Sequence, residues 1–256
     1  MPTLAILILT KNEEKNITEV VTNAKRCTDE VLIIDSGSTD TTVKQAEEQG
    51  ATVVYRAWDN DFAAQRNFGL TQTRAQWVLY LDADERLNEE VITAIKQAVA
   101  ANRQQQYAIV RKSVAFGQKF NHGVLKPDKV ARLFPRETVQ WKNKVHERPQ
   151  CDLQLVVLPG HIEHYTYESW EQWAEKFNQY TTIWADNAYA GGKRTSLPIA
   201  YGHALFGFLQ MAVLKLGVLD GWLGLALCCN HFSYTLLKYL KLYELQKGKI
   251  QKGKIQ

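Results

Sequence analysis

Three uninterrupted apolar runs, each halted by a polar side chain, constrain this chain more than any other feature. Residues 4–9, 31–34 and 77–81 are apolar throughout, and they stop at Thr10, Asp35 and Asp82. A strand with one wet face alternates apolar with polar side chains. An unbroken run suits a strand covered on both faces, as in a parallel sheet. Helical stretches fall between these runs: about 16–26, then from a cap at Thr39 or Asp40 to Gln49 with Gly50 as the stop, then 62–73, and from Asn88 to about Asn102. A further strand is expected at 51–56. This alternation implies right-handed crossovers and an α/β fold, a mostly parallel, Rossmann-like sheet flanked by helices. Ligands of such sheets bind beyond the carboxyl ends of the strands, where Thr10, Asp35 and Asp82 each stand.

The pattern changes after about Tyr107. Short strand-like pieces follow at 107–111 and 129–134, then a stretch rich in His, Trp and Tyr from His161 to Trp184. Trp170, Trp173, Phe177, Tyr180 and Trp184 recur near helical spacing, a stripe expected to be core rather than a platform for sugar. From Leu197 the chain is strongly apolar and helical, and 247–256 is a direct duplication of Lys-Gly-Lys-Ile-Gln with nothing to build a core from.

Two carboxylates one small residue apart at a strand end, as in Asp82-Ala83-Asp84, can converge on one hard divalent cation, Mg2+ or Mn2+. Diphosphate oxygens and water would complete its shell, and the metal would neutralise charge growing on a leaving diphosphate. Asp-x-Asp is common and also suits an acidic loop capping a helix, so its weight comes from its neighbours. Asp35, on the same sheet edge, can accept a hydrogen bond from a uracil N3–H. Some of the Ser38 to Asp40 segment is ordinary helix-capping turn chemistry. A Gly-rich dinucleotide fingerprint and a Walker loop are both missing from the sequence, which counts against dehydrogenase and kinase functions.

Four segments in order, Thr10-Lys11-Asn12-Glu13-Glu14, residues 31–40, Gln65-Arg66-Asn67-Phe68-Gly69 and Leu81-Asp82-Ala83-Asp84-Glu85, resemble glycosyltransferase family 2, inverting enzymes with the GT-A fold. The resemblance implies that Thr10, Glu13 and Asp35 line a nucleoside pocket, that Arg66 approaches base or diphosphate, and that Asp82 and Asp84 meet ribose and metal. Residues 126–136, Val145-His146-Glu147-Arg148, His161-Ile162-Glu163-His164-Tyr165 and Leu219-Asp220-Gly221-Trp222 look like a bacterial subgroup that adds glucose to heptose in the inner core of lipopolysaccharide or lipo-oligosaccharide. That likeness implies a UDP-glucose donor, a β bond and a lipid-linked saccharide acceptor.

An inverting transfer needs a base for the acceptor hydroxyl. Many family members use an Asp in a Glu-Asp pair, which this chain lacks. Glu147 is the first candidate and Asp128 the second; an ion pair with Arg148 is the plain alternative for Glu147. His146 is a candidate third metal ligand or diphosphate contact. Arg132 and Arg136 are candidates to clamp acceptor phosphates or close over the donor, and a solvated basic loop is the alternative. His161, Glu163 and His164 have only loose spacing for a closed zinc site. The expected organisation is a catalytic domain over residues 1–190, a helical region at 191–246 and a flexible basic tail at 247–256. Within the catalytic domain, residues 1–105 are expected to take the nucleotide sugar and residues 106–190 the acceptor.

The net charge of +4 is concentrated at the end: from Lys238 onward six lysines and Glu244 give +5, leaving about −1 for the rest. A basic tail is no nucleic-acid-binding face, so no nucleic acid partner is expected. The four cysteines (27, 151, 228 and 229) show no metal spacing, and with no cleavable signal after residue 10 they suit a reduced, cytoplasmic protein. No formal charge occurs at 195–214 or at 221–237, which approaches the ~20 residues of a membrane span, but Ser, Pro, His, Gln, Asn and Gly interrupt both stretches. Helices lying in the inner face of the cytoplasmic membrane, followed by lysines, suit a lipid-linked acceptor; a buried helical cap is the alternative. A transferase acting on another envelope glycan, a nucleotidyltransferase and a non-catalytic sugar-nucleotide binder are the competing functions. The second would need a Gly-rich basic phosphate loop, and residues 10–14 are acidic and Gly-free.

Overall fold

The computed structural model describes residues 3–143 and 147–248. The candidate ligand His146 and most of the duplicated tail therefore lie outside the described residues. Two compact units are formed, Met1–Lys112 with Asp128–Tyr165, and Ser113–Pro127 with Thr166–Gln256.

The first unit is built on β1 (Leu4–Thr10), α1 (Ile17–Lys25), β2 (Glu30–Asp35), α2 (Thr42–Glu48), β3 (Thr52–Tyr55), α3 (Phe62–Thr71), β4 (Trp77–Asp82), β5 (Glu85–Leu87) and α4 (Glu89–Ala101). Strands β6 (Gln106–Ala115), β7 (Gln118–Lys119), β8 (Asp128–Pro135), β9 (Gln140–Lys142), β10 (Arg148–Gln150) and β11 (Leu155–Tyr167) follow. Among the described residues one nine-stranded sheet runs β3-β2-β1-β4-β8-β6-β11-β5, with β7 on β6, and β9 pairs with β10. Strands β1 to β4 are parallel, while β8 runs antiparallel to both β4 and β6. The α/β arrangement, GT-A-like, is as expected. The sheet is more mixed than the apolar runs alone suggest, because a parallel pair needs a crossover helix and none lies between β6 and β8.

Burial explains the unbroken runs. Along β1, Ile6 and Ile8 face one side with Ile17 and Val20 of α1 and Val91 of α4, while Leu7 faces the other with Ala63 of α3 and Tyr80. Ile6, Leu7 and Ile8 have no exposed surface, and each such side chain contributes about 1.5–3 kcal/mol. Helix α1 buries Ile17, Val20, Val21 and Ala24, one stripe of a 3.6-residue period. Helix α3 sits so close to the sheet that a Cβ at Gly69 would meet Ile34 and Leu7 side chains at 3.3–3.4 Å. Helix α4 starts with the Asn88 side chain accepting from Val91 N at 3.0 Å, and it stops at Asn102 in the left-handed region (φ 47°).

The second unit contains β7 and the helices α5 (Trp170–Ala190), α6 (Leu197–Leu209) and α7 (Gly221–Gln246), with α5 and α6 both packed on α7. Its sequence boundary is earlier than 191, since α5 belongs with the other helices. The aromatic stripe of α5 is not a buried core: only Thr181 and Ala185 of that helix are buried, and Tyr180 is 50% exposed. The Asp220 carboxylate is buried and accepts from the backbone N–H of Asn121 and His122 and lies 2.8 Å from His122 Nδ1. The Leu219-Asp220-Gly221-Trp222 segment thus has a structural role at the entry to α7.

Candidate functional site

The parallel register delivers Thr10, Asp35 and Asp82 to one edge of the sheet: Thr10 pairs with Asp35, and Leu9 with Asp82. Thr10 Oγ1 donates to Asp35 Oδ1 at 3.2 Å. The same carboxylate accepts from Ser38 Oγ at 2.5 Å and, through Oδ2, from the N–H groups of Gly37 and Ser38 at 2.8 and 2.9 Å. A carboxylate has about four acceptor sites, so Asp35, which is 3% exposed, is filled by Thr10 and its own loop together. A base N–H reaches it only where the Ser38 hydroxyl turns away. Gly37 makes this loop possible with φ +92°.

Beside Thr10 lies a cavity of about 230 Å³ lined by Lys11, Glu13 and Ser36, with Trp58 and Phe62 on its aromatic side. Those two rings meet edge to face, 4.6 Å between centroids. Glu13 is fixed through its backbone N–H, which donates to Thr42 Oγ1 at 2.7 Å, and its Oε2 accepts from Asn16 Nδ2 at 2.9 Å. An aromatic pair over a polar floor suits a flat base. Trp58 and Phe62 were not legible as site residues; the one sequence signal is two aromatics in and just after a charged loop that follows a strand.

Asp82 and Asp84 have different surroundings. Asp82 Oδ1 accepts from Arg66 Nη2 at 2.9 Å and Oδ2 from Arg132 Nη2 at 2.6 Å. Burial disfavours the Asp82 charge, but Arg132 and Arg66 outweigh it and hold the carboxyl far below the usual range. Arg132 also donates to Glu85 Oε1 at 2.6 Å, and the fully buried Glu85 takes the Asp82 backbone N–H through Oε2 at 3.0 Å. Burial, more than any neighbour, pushes the Glu85 pKa up. Arg132, 5% exposed, points inward between two carboxylates, not outward to a phosphate. Arg136 donates through Nε to the Ala75 carbonyl at 3.0 Å and pairs with Glu137.

Asp84 has a histidine for its partner instead. Its Oδ2 lies 3.2 Å from His164 Nε2, because β11 pairs antiparallel with β5 and sets His164 opposite Glu85. The turn is fastened by Arg86, whose Nη1 donates to the Ala83 and Glu85 carbonyls at 2.7 and 2.9 Å and whose Nη2 reaches the Asn16 carbonyl at 3.1 Å. An Asp oxygen and an imidazole nitrogen this close can both bind a divalent cation, a mixed set that suits Mn2+ better than the all-oxygen shell of Mg2+. No group of three or more His, Cys, Asp or Glu converges among the described residues, so diphosphate and water would supply the remaining ligands. The sequence marks His164 through a resemblance segment and a loose His-x-x-His spacing, neither of which pairs it with Asp84; that partner comes from a strand pairing 80 residues away in the chain.

The two candidate bases also separate. Glu147 Oε1 lies 3.3 Å from Arg66 Nε, and Arg66 stacks on Trp141 with its guanidinium 4.6 Å from the ring. That places Glu147 against the Arg66–Asp82 pair. Asp128 is half exposed and held by Arg111 at 2.8 Å on β6, and Arg111 also approaches Glu85 at 3.6 Å. Arg111, partly exposed, completes a charge network around the buried Glu85, and no sequence motif announces Arg111.

Residues 5–153 match the family described as Glycosyl transferase family 2. Over 96% of this chain and 88% of its own length, an uncharacterised glycosyltransferase of Rickettsia typhi is 25% identical. The lipopolysaccharide core biosynthesis glycosyltransferase LpsC of Rhizobium meliloti is 27% identical over 75% of this chain and 73% of its own. Among solved structures, glucosyl-3-phosphoglycerate synthase from Mycobacterium tuberculosis, crystallised with Mn2+, UDP and glucosyl-3-phosphoglycerate, is 20% identical with a TM-score of 0.40. That likeness covers 53% of this chain and 57% of the synthase.

Proposed function

Because this chain belongs to glycosyl transferase family 2, we propose that it is an inverting, metal-dependent hexosyltransferase that moves glucose from UDP-glucose onto a heptose of a lipopolysaccharide or lipo-oligosaccharide inner core. The observation that carries it is the Asp84–His164 pair, set on the sheet edge that also holds Thr10, the Trp58–Phe62 cavity and the Asp82–Arg66–Glu147 cluster. Likeness to a relative named for lipopolysaccharide core biosynthesis supports the acceptor. Family membership removes the nucleotidyltransferase alternative.

In this reading Thr10 and Glu13 line the nucleoside pocket and Trp58 and Phe62 stack on the base. Asp35 holds the shape of the loop. Arg66 and Arg132 keep Asp82 ionised and pointed at the ribose and diphosphate. Asp84 and His164 are the protein's ligands to the divalent metal, which when bound offsets charge on the departing diphosphate. The acceptor oxygen attacks the anomeric carbon from the face opposite UDP. Its proton passes to the Glu147 carboxylate, the new glycosidic bond forms, and the electron pair of the broken bond leaves with the diphosphate.

The acceptor's lipid suggests where the enzyme works. Thirteen of the twenty-three exposed large apolar side chains among the described residues fall between Leu197 and Leu225, Leu214 and Trp222 at 72% each. A patch of that kind marks an interaction surface. Residues Leu197–Leu214 form one stretch long and apolar enough to cross a membrane, 22% buried. Between Lys193 and Tyr243 the one acid is Asp220, already buried, against the cations Lys193, Arg194, Lys215, Lys238 and Lys241. That combination favours helices lying in an anionic bilayer surface on the cytoplasmic side. Mass spectrometry of the envelope glycolipid from a deletion strain tests the whole proposal: one hexose should be missing from the inner core, and an unchanged glycolipid would sink it.

A further inference from the structure

The helical unit carries a half-open pocket of about 210 Å³ that plays no role in the chemistry above. Its walls are Trp173, Phe177 and Tyr180 of α5 facing Asn230, His231 and Tyr234 of α7, over an apolar floor that includes Leu125 and Leu227. The rings are arranged as a cage. Trp173 and Phe177 lie 4.7 Å apart, Phe177 meets Tyr234 edge to face at 5.6 Å, and His231 stacks on Tyr234 at 6.3 Å. The rings do not close on one another, and the space between them has room for several waters.

The polar tips of the cage decide what fits. Among the described residues the hydroxyls of Tyr180 and Tyr234 and the Asn230 amide make no hydrogen bond to protein, and His231 shares the wall with its Nε2 edge against Gly207 of α6. An alkyl chain in the cavity would strip water from these groups and give nothing back, at the usual cost of unsatisfied polar atoms. A pyranose ring offers apolar C–H faces to the aromatics and hydroxyls to the tips. Burial, with Lys238 and Lys215 in support, pushes the His231 pKa down and so favours the uncharged ring. The rim is cationic: Lys176 Nζ lies 5.3 Å from the Tyr167 ring and Lys238 Nζ 5.4 Å from the Tyr234 ring, both rings being on the cavity wall.

We propose that this cavity is a saccharide subsite, taking one pyranose that carries a negative charge, with Tyr180, Asn230, His231 and Tyr234 bonding its hydroxyls and Lys176 and Lys238 attracting its anionic substituent. The site belongs to the helical unit and stands or falls apart from the donor chemistry.

Saturation-transfer NMR and tryptophan fluorescence on the full chain test it, with methyl glucuronide, methyl glucoside and n-octanol as probes. Methyl glucuronide should bind at least about fivefold more tightly than methyl glucoside, and added salt should narrow the gap. Tyr234→Phe and Asn230→Ala, with unchanged circular dichroism, should each weaken sugar binding about fivefold, the worth of one hydrogen bond. Lys176→Gln should reduce the preference for the charged sugar, and Lys176→Gln with Lys238→Gln should remove it. Binding should persist in Asp84→Asn, which separates this site from the metal-dependent transfer. Failure of both sugars to bind, equal competition by n-octanol, or indifference to Tyr234→Phe and Asn230→Ala together would overturn the proposal.

Discussion

Replacing Arg132 by methionine should destabilise the first unit by about 3–5 kcal/mol at neutral pH, the cost of removing one partner from a buried ion pair. The magnitude follows from the geometry. Arg132 Nη2 lies 2.6 Å from both Asp82 and Glu85, and methionine leaves Glu85 with no exposed surface and only the more distant Arg111, at 3.6 Å. Against the ~5–15 kcal/mol of an ordinary domain this is a large loss. Its pH dependence is diagnostic. Glu85 already has a raised pKa in the folded protein because it is buried, and a carboxyl raised on folding favours the native state only while protonated. Without Arg132 that pKa rises further, so the variant should lose stability as pH rises above the ordinary glutamate range and regain some of it on acidification. The wild type should behave oppositely at the Asp82 site. There, despite burial, Arg132 and Arg66 depress the pKa, so the ion-pair contribution is present above the ordinary aspartate value and fades as pH falls below it. Urea unfolding followed by fluorescence from about pH 5 to about pH 8 measures the Glu85 slope of the variant, and an extension below about pH 4 reaches the Asp82 slope of the wild type. Glu85→Gln in the Arg132→Met background should restore stability at the upper end. An Arg132→Met loss that is constant across that range, or a double variant no better than the single one, would refute the buried network.

The other expectations are more direct. Asp84→Asn and His164→Ala should each weaken Mn2+ binding in the presence of UDP by roughly ten- to a hundredfold; titration calorimetry reads this without an acceptor, and unchanged affinity in both would remove the pair as ligands. Trp58→Ala should raise the donor KM by the ~1–3 kcal/mol of a stacked base while leaving kcat nearly unchanged. Glu147→Gln should lower kcat by about 10²–10⁴ with donor affinity retained, whereas near-normal turnover with Asp128→Asn inactive would transfer the base to Asp128. Leu214→Asp or Trp222→Asp should cut sedimentation with anionic vesicles at least about tenfold, since each buried apolar side chain is worth ~1.5–3 kcal/mol; full-length protein that stays in solution at low salt would end the membrane assignment.

What the sequence alone determined is the sheet edge. Period and burial are local properties, so runs such as 4–9 and 77–81 announce buried strands, and their polar stops announce Thr10, Asp35 and Asp82 as neighbours. The ordered motifs likewise reveal the family. Tertiary structure decided the division of labour within that edge. Asp82 and Asp84 read alike in sequence. One is locked between Arg66 and Arg132, and the other is left to His164, because β8 and β11 bring those partners from about 50 and 80 residues away. The same applies to the α5 aromatics, whose helical spacing looks like core until α7 places polar tips opposite them and leaves a cavity. Periodicity specifies which face of an element is apolar. What that face meets depends on long-range pairing, whose cost and geometry no local pattern encodes.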